Sequence, residues 1–234
     1  KLPYHAGTTL FIPSGNYRLS DTLKIRRSCV LHGSGTTYNA ATVLLFNAGK
    51  HGIELIRLDS DPLEGNAMST EIRNIAIRAV GKTTEAHGIL AHARFHLENV
   101  EITGFAGDGI HAEGRVSPDG TDVSLWYICR CSVGGCGGHG LFLDGPDANA
   151  GVAIALDCRD NVGWGINDSS FLGNTYIACV THNNQAGPYR SIDTGNQRSL
   201  FLGCYSEQDQ PHSQVEHPSM VVGGLHAAGI ADDR

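Results

Sequence analysis

The sequence predicts an all-β chain wound as a solenoid, and three observations carry that prediction. A short phrase recurs: HGI at 51–53 and 87–89, DGI at 108–110, HGL at 139–141 and WGI at 164–166. Its glycines fall 36, 21, 31 and 25 residues apart, a spacing in the range of stacked repeat architectures. Apolar residues come in short bursts with period two, as half-buried strands do. Composition agrees, with 30 Gly among 234 residues and no long Leu/Ala/Glu/Lys run at helical spacing.

The bursts run in order along the chain. They are TLFI at 9–12, CVLHG at 29–33, TVLLF at 42–46, IELIRL at 53–58, EIRNIAIRA at 71–79 and FHLENVEITGF at 95–105. VAIALDC at 152–158, NTYIACV at 174–180 and SLFLGCYS at 199–206 follow. In each recurring phrase a polar or aromatic residue, then Gly, then a branched apolar residue reads as a turn feeding a short strand. Each repeat should therefore give the same strand to one growing sheet. No linker or change of composition interrupts residues 1–234, which are expected to form one domain. No run of eighteen apolar residues exists, so no membrane-spanning helix is expected.

Net charge is −7 and the sequence pI is about 5.9, which argues against a nucleic-acid partner, since phosphate binding needs a basic face, and suits a neutral polymer better than a strongly anionic one. Lys24, Arg26 and Arg27 read as a solvated strand face. Of the seven cysteines, Cys129, Cys131 and Cys136 give C-x-C-x4-C, not the paired spacing of structural zinc sites. Cys131, Cys158, Cys179 and Cys204 fall at equivalent places in successive strands, with Val100 one repeat earlier. An interior ladder of inert thiols is the expectation, with a disulfide or a metal as the alternatives.

Residues 8–35, TTLFIPSGNYRLSDTLKIRRSCVLHGSG, give an apolar strand, then Pro13, Gly15 and Tyr17, a second strand at 23–25, and Val30 to Gly35. Pro13 and Gly15 make a turn, Tyr17 covers the end of the core, and Gly33 and Gly35 let the backbone corner tightly. This segment resembles the first repeats of the pectate-lyase-like right-handed parallel β-helices, which include polysaccharide lyases, glycoside hydrolases and bacteriophage tailspikes. The later repeats share only its rhythm. CYSEQDQPHSQVEHPSMVVGGLHAAGI near the end resembles segments of phage tail and bacterial β-helix proteins. The resemblance implies a single-stranded right-handed parallel β-helix. It also implies an extracellular, cell-surface or virion-tail setting, a polysaccharide partner and a possible homotrimer. The family's usual opening G-A-x-G-D-G segment and capping helix are absent from this sequence, and no C-terminal cap is evident. A fragment of a longer chain, or ends covered by neighbours, is expected.

Stacking places equivalent residues of adjacent repeats about 4.8 Å apart. Counting from each phrase Gly, position −1 reads His87, Asp108, His139 and Trp164. Position +2 reads Leu90, His111, Phe142 and Asn167, and position +4 reads His92, Glu113, Asp144 and Ser169, with Asp168 one step earlier. Glu113 and Asp144 form the expected catalytic pair, because adjacent carboxylates push one pKa up and leave an acid and a base. His111 shares their strand face, and GRVSPDGTDVS and GPDANAG leave the sheet at that point to form groove walls. Asp108, His139, Trp164 and Asp168 are the expected substrate-binding residues. Trp164 would offer a platform for a sugar ring, and Asp108 would orient a general base. A plainer role for the −1 residues is to cap the turn by bonding to backbone.

No resident metal or cofactor is expected. Calcium is an alternative, at Asp157, Arg159 and Asp160 near Asp144. Two function classes remain: a carbohydrate-active protein of hydrolase or lyase type, and a non-catalytic spike or adhesin. An apolar stripe along one outer face would favour the second.

Overall fold

The computed structural model describes residues 7–26, 28–37, 41–56, 69–81, 85–115, 121–192, 198–209, 213–215 and 219–223. Arg27, the 116–120 part of the first expected groove wall, and much of the C-terminal tail-like segment lie outside these residues. Among the described residues the chain is all strand and turn, and no helix is long and apolar enough to cross a membrane.

Every strand pairing between the described strands is parallel, in one eight-stranded and one curled fifteen-stranded sheet. The smaller sheet contains the recurring phrase. Its strands, in stacking order, are Leu23–Ile25, Ile53–Leu55, Ile89–Ala91, Ile110–Glu113, Leu141–Asp144, Trp164–Asp168, Gly187–Ser191 and Gln214–Val215. Each repeat thus adds one strand, in a register that sets Ile110 beside Leu141 and Leu141 beside Ile166. The alternation is as the period requires. Ile53, Leu55, Ile89, Ala91, Ile110, Ala112, Leu141, Leu143 and Ile166 point inwards and are fully buried. Glu54, Leu90, His111 and Phe142 point outwards and are half-buried.

The phrase glycines are required by close approach. A Cβ on Gly52, Gly88, Gly109, Gly140 or Gly165 would come within 3.0 Å of a neighbouring repeat's carbonyl oxygen or a core side chain. Gly109, for example, faces Val133 and the carbonyl of Gly140.

The larger sheet covers the rest of each repeat. Two long strands, Ser69–Val80 and Arg94–Thr103, run through it. In later repeats each is replaced by two three-residue strands, such as Val152–Ile154 and Asp157–Arg159. One left-handed residue makes this corner in six successive repeats: Asn74, Asn99, Arg130, Ala155, Ala178 and Gly203 have φ from +50° to +62°. Their flanking residues are in register. Asn tolerates this conformation best after Gly, and Asn99 Nδ2 also donates to Asn74 Oδ1 at 2.7 Å. A line of rings fills part of the interior, Phe95 to Trp126 at 6.4 Å, Trp126 to Tyr176 at 6.3 Å and Tyr176 to Phe201 at 4.7 Å.

All seven cysteines are free, and Cys131, Cys136, Cys158, Cys179 and Cys204 are buried. Burial pushes the Cys131 thiol up to about 12, so it stays protonated and unreactive. The thiols do not form one ladder, however. Pairing of Ser132 with Asp157, Asp157 with Val180 and Val180 with Tyr205 aligns Cys131, Leu156, Cys179 and Cys204. Cys158 instead stacks on Val133 and under Thr181, one inward position later. The corner residue shifts the strand parity, so counting from the nearest apolar burst misplaces it by two.

Two substitutions test these constraints by urea unfolding. Ala178→Gly, at an exposed left-handed corner, should raise stability by up to about 1 kcal/mol, the relief of backbone strain exceeding the unfolded-state entropy of Gly. Gly109→Ala should lower it by about 1–3 kcal/mol through overpacking. Equal effects of the two would refute the distinction between corner strain and close approach.

Candidate functional site

The −1 residues form a continuous polar ladder along one edge of the smaller sheet. Each side chain accepts the backbone N–H of the −1 residue in the next repeat. His87 N–H donates to His51 Nδ1 (3.0 Å), Asp108 N–H to His87 Nδ1 (2.9 Å), His139 N–H to Asp108 Oδ1 (2.6 Å) and Trp164 N–H to His139 Nδ1 (2.8 Å). These bonds satisfy amides that the turn would otherwise leave without partners. They also fix tautomers: an Nδ1 that accepts a hydrogen bond from a backbone amide does not carry the proton, so His51 and His139 hold theirs on Nε2. Burial favours the neutral ring and lowers the pKa of both His51 and His139.

Asp108 has a second bond. Its Oδ2 accepts Nδ1–H of His111 at 2.7 Å, while the Nε2 side of that ring lies 3.6 Å from Asp144 Oδ2. Burial opposes charge on His111, but these two carboxylates outweigh it and push the pKa up to about 9. His111 is therefore an imidazolium at neutral pH. Burial also opposes charge on Asp108, yet the contacts from His111, from His87 Nδ1 at 3.3 Å and from His139 N–H hold it well below the usual carboxylate range. Asp144 is lowered as well, chiefly by its contact with His111.

Glu113 and Asp144 stand in register on adjacent strands, and Arg115 reaches both. Its Nη2 pairs closely with Glu113 Oε1 and lies 3.9 Å from Asp144 Oδ2. His92 Nδ1 lies 3.1 Å from Glu113 Oε2, and burial lowers the pKa of that ring. Mutual repulsion does not dominate at Asp144: its pKa moves in the opposite direction from that of a carboxylic acid kept protonated. The transferable proton sits on His111.

Phe142 extends the same face. Its ring meets those of His111 and His139 edge-on, with both centroid distances 5.0 Å. Trp164 does not offer an open platform; it is 9% exposed and lies against Gly187, where a Cβ would meet the indole. Asp168 is not on the outward face either. It points inwards, fully buried, and accepts Tyr176 Oη–H (2.8 Å), Ser199 Oγ–H (2.7 Å) and Ser170 N–H (3.0 Å). Odd positions from the phrase Gly face the core, so an expected ligand contact here becomes an interior anchor.

Asp157 and Asp160, considered for calcium, lie on the larger sheet and its corner, away from the Asp144 strand. Asp157 pairs with Arg159 at 2.9 Å and Asp160 accepts Asn183 Nδ2–H at 2.7 Å. Among the described residues, His87, Asp108 and His111 form a cluster of three possible ligands with atoms within 4.8 Å of one another. His87 Nδ1 there already accepts a backbone N–H, and the proton between Asp108 and His111 occupies the remaining position. The donor set fits a shared proton better than a metal.

Sequence reasoning missed Arg115 and the backbone-facing role of His51. Arg115 lies two residues after Glu113, which was the available signal. Comparison of the chain with protein-family models, curated proteins and solved structures finds no match.

The charge on His111 predicts a pH signature. A pKa raised from 6.5 to about 9 adds stability that is full below pH 6.5 and is lost as pH climbs through 9, on the order of 3 kcal/mol. The lowered pKa values of His51, His92 and His139 act in the other direction, removing stability as pH falls below 6.5. Urea unfolding between pH 6.5 and 9.5 should show wild-type stability falling, and His111→Asn should flatten that slope. An unchanged slope in the variant would show that His111 is not the charged group.

Proposed function

We propose that the chain is a right-handed parallel β-helix whose smaller-sheet face binds a polysaccharide and cleaves it by acid–base chemistry outside the cell or on a virion tail. Parallel strands stacked repeat on repeat, with the same left-handed corner in six successive repeats, support the architecture. The observation that carries the chemistry is His111, protonated and held by Asp108, facing Asp144 with Glu113 in register beside it. His111 is the proton donor to a leaving oxygen, and Asp108 positions its ring as a fixed second carboxylate does for a catalytic imidazole. Asp144 or Glu113 is the base, for water in a hydrolase or for a ring proton in a lyase. Phe142 gives an apolar surface for a sugar ring beside the donor.

An oligosaccharide screen that detects both new reducing ends and unsaturated products tests this reading. Activity should fall by about two to four orders of magnitude in His111→Asn. Glu113→Gln and Asp144→Asn should each reduce it sharply while the folded spectrum persists. Full activity in all three variants would remove the site.

A second reading, a non-catalytic spike or adhesin that assembles as a homotrimer, has its own support. The outward ladder Cys129, Ile154, Ile177, Leu202 and Val222 on the larger sheet is apolar, whereas the preceding repeats carry Arg73 and Glu98 at the same place. Sedimentation as a trimer with no product in the screen would favour it over the enzyme.

A further inference from the structure

We infer that the groove face contains an oxyanion subsite at His139, Asn167 and Arg190, and that the ligand presents a carboxylate or sulfate there. This rests on the reading of the smaller-sheet face as a saccharide groove. Asn167 and Arg190 occupy the +2 ladder two repeats and three repeats beyond Leu90's neighbour His111 in stacking order, by way of Phe142. At about 4.8 Å per repeat, Arg190 stands roughly 14 Å from the proton donor, a few sugar units along a bound chain.

The argument is a count of donors and acceptors. His139 Nδ1 accepts Trp164 N–H at 2.8 Å, so its Nε2 must carry the proton and donate. That Nε2 faces the Asn167 side-chain amide at 3.2 Å, and the other end of the same amide lies 3.2 Å from Arg190 Nη1. Arg190 can only donate. The amide has one oxygen to offer, and a donor stands at each end of it. With the oxygen turned to Arg190, the amide nitrogen opposes His139 Nε2–H. With the oxygen turned to His139, the amide nitrogen opposes the guanidinium. In either arrangement two N–H groups face each other without an acceptor, on a face where Asn167 is buried.

An oxyanion supplies what is missing. With Oδ1 on His139 Nε2–H, one ligand oxygen accepts both Asn167 Nδ2–H and the Arg190 guanidinium. A bond to a charged donor is the stronger kind. A neutral hydroxyl has one proton of its own to place and satisfies the pair less well. The carboxylates of this face already have cationic partners. Glu54, Asp108, Glu113 and Asp144 lie on or beside the strands up to and including that of Phe142, where Lys24, His111 and Arg115 pair with them, and Arg190 lies two strands beyond Phe142. Among the described residues Arg190 is in no ion pair. An acidic residue of the ligand is therefore directed to the Arg190 end, which would fix the direction in which the chain lies.

The test uses the full chain and three probes: inorganic sulfate, cellotetraose, and the C6-oxidised glucuronate counterpart of cellotetraose. Nitrogen-edited NMR would follow the Asn167 side-chain amide, the Arg190 Nε–H and the His139 ring nitrogens. Sulfate should give saturable shifts at Asn167 and Arg190. The uronate should bind about tenfold or more tightly than cellotetraose, and Arg190→Gln should erase that preference. A His139 ring found with its proton on Nδ1, or no saturable shift with either anion, overturns the inference. Equal binding of the two tetrasaccharides overturns it while leaving the groove reading intact. Sulfate binding that depends on Arg190, with neither saccharide bound, keeps the anion subsite and counts against the groove.

Discussion

The backbone of each repeat must come so close to the next that five stacked positions have no space for a side chain. Everything else in the smaller sheet depends on that contact. Because Gly52, Gly88, Gly109, Gly140 and Gly165 lack a Cβ, the strand after each begins at the same depth. The residues before and after it then fall into fixed ladders. The inward ladders become core. The outward ladders put His111 and Glu113, on one strand, and Asp144, on the next, into one electrostatic unit. A side chain at any of the five glycines would shift one repeat against the next and separate the groups that give His111 its charge.

Asp108 shows how structure and chemistry share one residue. One of its oxygens holds the amide of the next repeat and the other holds the His111 ring, so the carboxylate cannot rotate without releasing one of them. His51 and His139 of the same ladder also hold the amide of the next repeat, and burial favours their neutral form. Two populations of imidazole thus stand within about one strand spacing of each other. Those whose Nδ1 accepts a backbone proton are uncharged, and the one whose Nδ1 donates to a carboxylate is cationic. Residue type alone does not distinguish them; the direction of a single hydrogen bond does.

The recurring phrase and the period-two bursts made the strands and the Glu113–Asp144 register legible, because both follow from spacing. Parity was the limit. Asp168 lies one residue before the outward position and so faces the core, and Cys158 lies beyond a left-handed corner that resets the alternation. Neither corner is marked by Gly: Ala155 and Ala178 adopt it because neighbouring repeats impose it, and nothing in those residues announces a turn. Arg115 was invisible for a different reason. A strand-end cation reads as solvated until the partner repeat is in place to show which carboxylates it reaches.

The bonds that join successive repeats all point along the direction in which the repeats stack, and most later strands of the larger sheet have only three residues. A pull applied at the two ends would therefore put the same load on every junction in series, like links of a chain. The force at which the stack yields would be set by its weakest junction rather than by the number of repeats. Lengthening such a molecule by further repeats would extend its reach without making it tougher.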